Sequence, residues 1–228
     1  METQKGAASA IIVAAGRGTR MGLGVNKVLI PIEDRPVLSV TLEGFSKSVW
    51  VDEIILVISP EDEPAIAELV KGLSRVRLVY GGTTRQESVR NGLHAVSGHA
   101  DIVLIHDAAR PFVDEAMIKR GIEAALAYGA ACAGMPVKDT IKRVDSQGLI
   151  AETPERSSLW SAQTPQVFKK DIILKAHEWA YEQHISGTDD AMLVEAMGMP
   201  VVMFEGSYRN IKITSYEDMR IARALLQD

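Results

Sequence analysis

The chain has 228 residues, a formal net charge of −5, 46% hydrophobic residues and 24% charged ones. That balance suits one globular domain with a sizeable core, and it lacks the positive excess of a general nucleic-acid footprint. No apolar run approaches the roughly 20 residues of a membrane span, and the polar stretch Met1 to Gly6 has no basic leader character. A cytoplasmic protein with no nucleic-acid or membrane partner is expected. The single cysteine, Cys132, excludes a disulfide framework or cysteine zinc set within one chain. It sits in the apolar run from Gly129 to Gly134 and reads as a small buried hydrophobe; no histidine lies near it in sequence to make it a nucleophile.

In chain order, Ser9 to Ala14 opens as a continuous apolar run, the pattern of a strand buried on both faces. Pro36 to Ser46 follows as a helix with Pro36 at its first position. Glu53 to Ile58 repeats the buried-strand pattern, Pro60 to Leu73 is helical, and Arg75 to Tyr80 is a strand. Arg85 to Val96 is helical, Ile102 to Ile105 a strand, and Asp114 to Tyr128 a helix capped by Asp114. Ala131 to Val137 and Pro200 to Phe204 are further strands; Lys170 to Gln183, Thr188 to Met197 and Ser215 to Leu226 are further helices. Strands alternating with helices predict an α/β fold, a Rossmann-like, mostly parallel sheet with helices on both faces.

Residues 138–161 break the rhythm. Thr140 to Val144 alternates, Asp145-Ser146-Gln147-Gly148 has turn chemistry, and Leu149 to Thr153 follows: a polar β-hairpin. Two arrangements fit it, an arm protruding to a partner subunit or a hairpin folded back onto its own domain. With no repeat, low-complexity run or Pro/Gly-rich linker, one domain with an arm is the simplest organisation.

The first strand runs directly into Ala14-Ala15-Gly16-Arg17-Gly18-Thr19-Arg20-Met21-Gly22. Ligands of open α/β sheets bind outside the carboxyl ends of strands, and glycines there let backbone N–H groups approach an anion. A dinucleotide fingerprint would need G-x-G-x-x-G opening a helix, but Gly22 is displaced by one and Asn26 and Pro31 oppose a helix. A Walker loop would need Gly-Lys-[Ser/Thr], but Leu23 follows Gly22. The remaining reading is a nucleotidyltransferase loop, with Arg20 and then Lys27 beside the phosphates.

These residues resemble a known family. Ala14-Ala15-Gly16-x-Gly18-x-Arg20-Met21 followed by Lys27 is similar to the signature of cytidylyltransferases acting on polyol and sugar phosphates. His106-Asp107-Ala108-Ala109-Arg110-Pro111 is similar to the hallmark of the 2-C-methyl-D-erythritol 4-phosphate cytidylyltransferases. Gly81-Gly82, Arg85 and Ser88 resemble the family's base-binding loop. Val137-x-Asp139-Thr140-x-Lys142, Leu159 to Gln166, Thr188-Asp189-Asp190-Ala191 and Asn210-Ile211-Lys212-Ile213-Thr214 follow in family order, so the likeness spans nearly the whole chain.

The resemblance implies transfer of CMP from CTP to a polyol phosphate with release of pyrophosphate. It implies that Arg20 and Lys27 stabilise the transition state and that Lys212 and Arg156 position the substrate phosphate. It implies nucleotide contacts from Ala14, Ala15, Gly16, Gly18, Gly81, Gly82, Ser88, Asp107 and Ala108, with the Ser88 hydroxyl donating to the cytosine. It implies polyol-phosphate contacts from Asp107, Arg110, Thr140, Arg156, Thr164, Thr188 and Lys212, and a homodimer in which the arm brings Thr140 and Arg156 to the partner's site.

Read without the resemblance, several of these have plainer roles: Ser88 a helix-surface hydroxyl, Asp107 and Arg110 a structural ion pair, Thr140 strand packing, Thr188 a helix cap. His106 is redundant as a base, because a phosphate monoester is largely dianionic at neutral pH. Mg²⁺ is expected as cofactor, held chiefly by the CTP phosphates with no protein cage. Two departures from the family pattern stand out: Thr83-Thr84 where acidic residues are usual, which casts doubt on a side-chain contact by Thr83, and Asn26-Lys27-Val28 where Pro-Lys-Gln is common. No fused cyclodiphosphate synthase domain is expected after the last helix. The alternatives are a ribitol 5-phosphate cytidylyltransferase, an NAD-dependent Rossmann oxidoreductase and a non-catalytic nucleotide sensor.

Overall fold

The structure, a computed structural model, describes residues 6–16 and 26–227. Strand β1 (Ala8–Val13) lies at the heart of a seven-stranded sheet. A two-stranded hairpin, β2 (Pro31–Ile32) and β3 (Arg35–Pro36), leads into α1 (Val37–Ser46). Then come β4 (Glu53–Ile58), α2 (Glu63–Leu69), β5 (Val76–Tyr80), α3 (Arg85–Ala95), β6 (Ile102–Asp107), α4 (Glu115–Tyr128) and β7 (Ala130–Pro136). The arm carries β8 (Arg143–Val144) and β9 (Ile150–Glu152). It is followed by β10 (Trp160–Lys169), α5 (Lys170–Glu182), α6 (Asp190–Ala196), β11 (Val202–Glu205) and α7 (Tyr216–Gln227).

The strand order is β11-β7-β10-β6-β1-β4-β5. All neighbours are parallel except β10, which runs antiparallel to both β6 and β7. The predicted mostly parallel sheet is therefore present, with one reversed strand in its interior that the sequence pattern did not reveal. Successive strand side chains alternate between two cores. Ala8, Ala10 and Ile12 pack with Leu38, Leu42 and Phe45 of α1 and Met117, Ile118 and Ile122 of α4. Ile11 packs on the other face with Val89 and Leu93 of α3 and Ile173 and Ala176 of α5. Both faces being covered explains why β1, β4 and β6 read as unbroken apolar runs.

Helix ends follow local chemistry. Asp114 caps α4 by accepting from Met117 N, as expected. Pro36 differs from expectation. Its extended backbone (φ −54°, ψ 143°) makes it the cap residue of α1, and it pairs with Pro31 across β2 and β3, so the helix starts at Val37. The helix expected over Pro60 to Leu73 is a 3₁₀ turn, Pro60–Asp62, followed by the seven-residue α2.

The arm stands off its own domain. Residues 138–158 are exposed apart from a half-buried Pro154. Ile141, Val144, Leu149 and Ile150 stand 41–64% exposed. The fold-back arrangement is thereby corrected: β8 and β9 pair only with each other. Among the described residues no helix is long and apolar enough to cross a membrane.

Phe45 is fully buried and its ring lies 4.9 Å from that of His106. Phe45→Ala should lower unfolding free energy by about 3–5 kcal/mol, measured by urea denaturation.

Candidate active site

A cleft of about 790 Å³ opens at the carboxyl ends of β1, β4 and β6. This is where the chain order of strands reverses about β1, the usual ligand position in such sheets. Nine of the residues expected at the site line it: Ala14, Ala15, Gly16, Lys27, Gly81, Gly82, Ser88, Asp107 and Lys212. Gly18 and Arg20 lie outside the described residues.

Asn26 sets one wall. Its Nδ2 donates to Ala14 O (2.7 Å) and to Asp62 Oδ2 (2.7 Å), and its Oδ1 accepts from Val28 N (3.3 Å). The side chain thus caps the 3₁₀ turn Lys27–Leu29 and ties that turn to the end of β1. The departure from the family's usual proline here supplies three hydrogen bonds that a proline side chain cannot make.

The second wall is the Gly81–Thr84 turn. A Cβ on Gly81 would lie 2.6 Å from Ala15 Cβ and 2.7 Å from Ser88 Oγ, so only glycine lets the two loops approach this closely. Thr84 caps α3 by accepting from Glu87 N, while Glu87 Oε2 accepts from Thr83 N (2.7 Å) and Thr83 Oγ1 (2.6 Å). The Thr83 hydroxyl is therefore directed at Glu87. Ser88 is 2% exposed, which corrects its reading as a helix-surface hydroxyl. Its Oγ donates to Thr84 O (2.8 Å) and accepts from Gly82 N (3.1 Å), so in this state the hydroxyl shapes the turn.

The floor is the end of β6. Asp107 Oδ1 accepts from Arg85 Nε (3.0 Å) and Oδ2 from Lys212 Nζ (2.6 Å). The plainer alternative, an Asp107–Arg110 ion pair, is corrected by this: Arg110 instead donates through its NH1 to Asn210 O (2.8 Å). Burial pushes the Asp107 carboxyl up, but Arg85 and Lys212 outweigh it and hold it well below the usual carboxylate range. Arg85 continues inward to Asp190 Oδ2 (2.9 Å), and Asp190 Oδ1 meets His177 Nε2 (3.1 Å).

Lys212 reaches Asp107 because its segment is pinned from three sides. Asn210 is fully buried, and its Nδ2 donates to Thr164 O (2.7 Å) and Gln163 Oε1 (3.2 Å). Arg110 holds the Asn210 carbonyl, and Ile213 N donates to Ala109 O (2.8 Å).

The other expected contacts lie outside the lining of this cleft. Ala108 is fully buried beneath it, and Arg110 serves the Asn210 turn. Thr164 is buried, accepting from Asp107 N (3.1 Å) and facing His106 Nδ1 (3.1 Å). Thr140 and Arg156 are on the exposed arm, Arg156 donating to Lys138 O (3.0 Å). Thr188 is exposed, and its role as a helix cap is corrected: Asp189 caps α6 by accepting from Met192 N. The lining also includes Arg85, expected with the base-binding loop, and Asn26 and Thr84, which the sequence marked only as departures from the family pattern. The Thr84-x-x-Glu87 capping signature was the readable sign of the turn and helix start that place Arg85.

His106 is fully buried, with Nε2 against Arg110 O (2.9 Å) and Nδ1 against Thr164 Oγ1. Burial pulls its pKa down to about 4. Burial likewise pushes the Cys132 thiol up to about 12, which withholds the thiolate a nucleophile would need.

Comparison with known proteins extends this picture. The IspD family model, 2-C-methyl-D-erythritol 4-phosphate cytidylyltransferase, matches residues 8–228. The chain belongs to this family. A 2-C-methyl-D-erythritol 4-phosphate cytidylyltransferase of Syntrophotalea carbinolica is 51% identical over 222 residues, covering 95% of this chain and 94% of the relative. One from Caldanaerobacter subterraneus subsp. tengcongensis is 47% identical over 223 residues, covering 96% and 98%. A crystal structure of 4-diphosphocytidyl-2C-methyl-D-erythritol synthase from Anaerococcus prevotii superposes with a TM-score of 0.89 at 36% identity, covering 99% and 100%.

The buried histidine makes this IspD family member acid-sensitive in a defined window. The unfolded chain takes up a proton near the ordinary value of 6.5, the folded one only near 4. Stability due to this group is therefore intact above about pH 6.5 and lost as pH falls towards 4. Unfolding free energy should be about 2 kcal/mol lower at pH 5 than at pH 7 from this group. Urea titrations at both pH values should show that loss shrinking in His106→Gln; an equal loss in the variant would contradict it.

Proposed function

We propose that the chain transfers CMP from CTP to 2-C-methyl-D-erythritol 4-phosphate, giving 4-diphosphocytidyl-2-C-methyl-D-erythritol and pyrophosphate. One observation carries this reading beyond family membership. Lys27, Lys212 and the Ala14–Gly16 strand end share a single cleft with the Gly81-Gly82 turn. A cleft so built offers cations and backbone to phosphates at one end and a backbone turn for a base at the other.

In the reaction a phosphate oxygen of the polyol phosphate attacks the α-phosphorus of CTP. That new P–O bond forms as the bond from the α-phosphorus to the bridging oxygen breaks, and the electron pair leaves on pyrophosphate. The nucleophile is already dianionic near neutral pH, so no side chain need take a proton. His106, buried with both ring nitrogens engaged, fits that economy. What the site must supply is positive charge for two anions that meet and for the charge that moves to the leaving group. Lys27 is assigned to the triphosphate and Lys212 to the acceptor phosphate. Arg20, by family likeness, joins Lys27.

Mg²⁺ is assigned to the CTP phosphates. The carboxylates lining the cleft are Asp107 and Glu61, and both oxygens of Asp107 are engaged by Arg85 and Lys212. Among the described residues no three His, Cys, Asp or Glu side chains gather as a metal cage. Such a donor set suits an ion that keeps phosphate oxygens and water as ligands, and its charge would screen the triphosphate. A homodimer is part of the reading. The exposed apolar side chains of the arm call for a covering surface, and the arm would carry Thr140 and Arg156 to the acceptor end of the partner's cleft. A cytoplasmic setting, with CTP at hand, completes it.

Pyrophosphate release with CTP and each of two acceptors, 2-C-methyl-D-erythritol 4-phosphate and ribitol 5-phosphate, tests the acceptor; turnover of ribitol 5-phosphate alone would overturn the proposal. Lys27→Ala should lower kcat by about 10²–10³-fold, the scale for one lost transition-state donor; undiminished pyrophosphate release would refute its role. Removing residues 138–155 should convert a dimer into a monomer by light scattering and abolish turnover.

A further inference from the structure

Five side chains of alternating type run from the inside of the molecule to the cleft: His177, Asp190, Arg85, Asp107 and Lys212. They come from five places in the chain, the helices α5, α6 and α3, the end of β6 and the segment after β11. The successive separations are 3.1, 2.9, 3.0 and 2.6 Å. His177 and Asp190 are each 1% exposed and do not line the cleft; Asp190 reaches it only through Arg85.

The guanidinium of Arg85 is used asymmetrically. Its Nε donates to Asp107 Oδ1, and its NH1 forms an ion pair with Asp190 Oδ2 that lacks hydrogen-bond alignment, while its buried NH2 has no hydrogen-bond partner. Nε and NH2 share the edge of the guanidinium that normally grips a carboxylate with two parallel bonds. Here that grip is half made, and the second oxygen of Asp107 belongs to Lys212. The unpartnered NH2 is thus a second donor on the edge of Arg85 that serves Asp107, and the charge of Asp190 lies beside NH1.

We infer that Asp190, steadied by His177, is a positioning residue for the acceptor-phosphate lysine: it holds Arg85 on one oxygen of Asp107, so that Lys212 is seated on the other beside the cleft. The spare NH2 has a second consequence. When Lys212 turns from Asp107 to an incoming phosphate, Arg85 can close its second bond onto Asp107 Oδ2. The carboxylate is then never left buried and unpaired, a state that would oppose the movement of Lys212. Asp190 is held in turn by more than His177: its backbone N and that of Ala191 donate to Gln166 Oε1 (3.0 and 2.9 Å), which fixes the start of α6.

This inference rests on the role proposed above for Lys212. Loss of turnover in Lys212→Ala relative to the unaltered enzyme tests that role; the ratio of the Asp190 variant to the unaltered enzyme tests this one. The near-isosteric Asp190→Asn removes the charge that holds NH1. Arg85 should then grip Asp107 with both Nε and NH2, displacing Lys212. With both substrates varied, kcat should fall by about 10-fold or more while KM for CTP stays within about 2-fold, the scale for a supporting residue behind a reacting group. A crystal structure of the variant should place Arg85 NH2 on Asp107 Oδ2 with Lys212 Nζ withdrawn. Should that variant fail to fold, His177→Phe, which keeps a ring but removes the donor to Asp190, should lower kcat by about 3-fold with the same unchanged KM for CTP. Either variant with unaltered kcat, or with kcat and KM for CTP worsening together in step with lost folded protein, would overturn the inference.

Discussion

One carboxylate shared by two cations organises this molecule. Asp107 is 8% exposed, and without partners its charge would be intolerable there. Arg85 and Lys212 neutralise it from opposite parts of the chain, residues 22 and 105 positions distant. The same contact that stabilises Asp107 also seats Lys212 on the lining of the cleft, where the proposed reaction would bring a second anion. Stability and readiness for reaction are therefore coupled through a single pair of oxygens.

The rest of the fold can be understood as holding that pair still. The reversed strand β10 enters the sheet next to β6, and Thr164 at its register shift with β7 accepts the Asp107 backbone N–H. Thr41 on α1 donates to the carbonyl of Ala108, the next residue. Arg110 and Asn210 lock the segment carrying Lys212. On the other side of the cleft Asn26 performs the corresponding task for Lys27, joining the end of β1 to Asp62. Rigid placement matters because the proposed chemistry has no proton transfer to organise; its rate depends on where charge sits.

Much of this was legible in the residues. Buried parallel strands announce themselves as unbroken apolar runs, and β1, β4 and β6 did so. The ordered motifs brought out Lys27, Asp107, Ser88 and Lys212, all of which face one cleft. What could not be read was partnership. Asp107 and Arg110 are three apart and looked like a pair, yet Asp107 found Arg85 and Lys212, because the turn after β6 directs Arg110 towards Asn210 instead. Asp190 looked like an ordinary helix start, and only the packing of α5 and α6 against α3 turned its carboxylate towards Arg85. Strand β10 was missed for a different reason: its exposed start, Trp160 to Ala162, leaves the core for the arm, which masks the buried stretch from Gln163 that follows. Arg20 and Gly18, part of the motif that first suggested an anion site, lie outside the described residues.

In the proposed reaction charge placement, with no enzyme base, lowers the barrier. The pH dependence of kcat/KM for 2-C-methyl-D-erythritol 4-phosphate at saturating CTP tests it most directly. One rising limb is expected near pH 6, set by the second ionisation of the substrate phosphate, then a plateau through pH 8, with the limb unmoved in His106→Gln. A limb that shifts or vanishes in that variant would reveal an enzyme base and contradict the account.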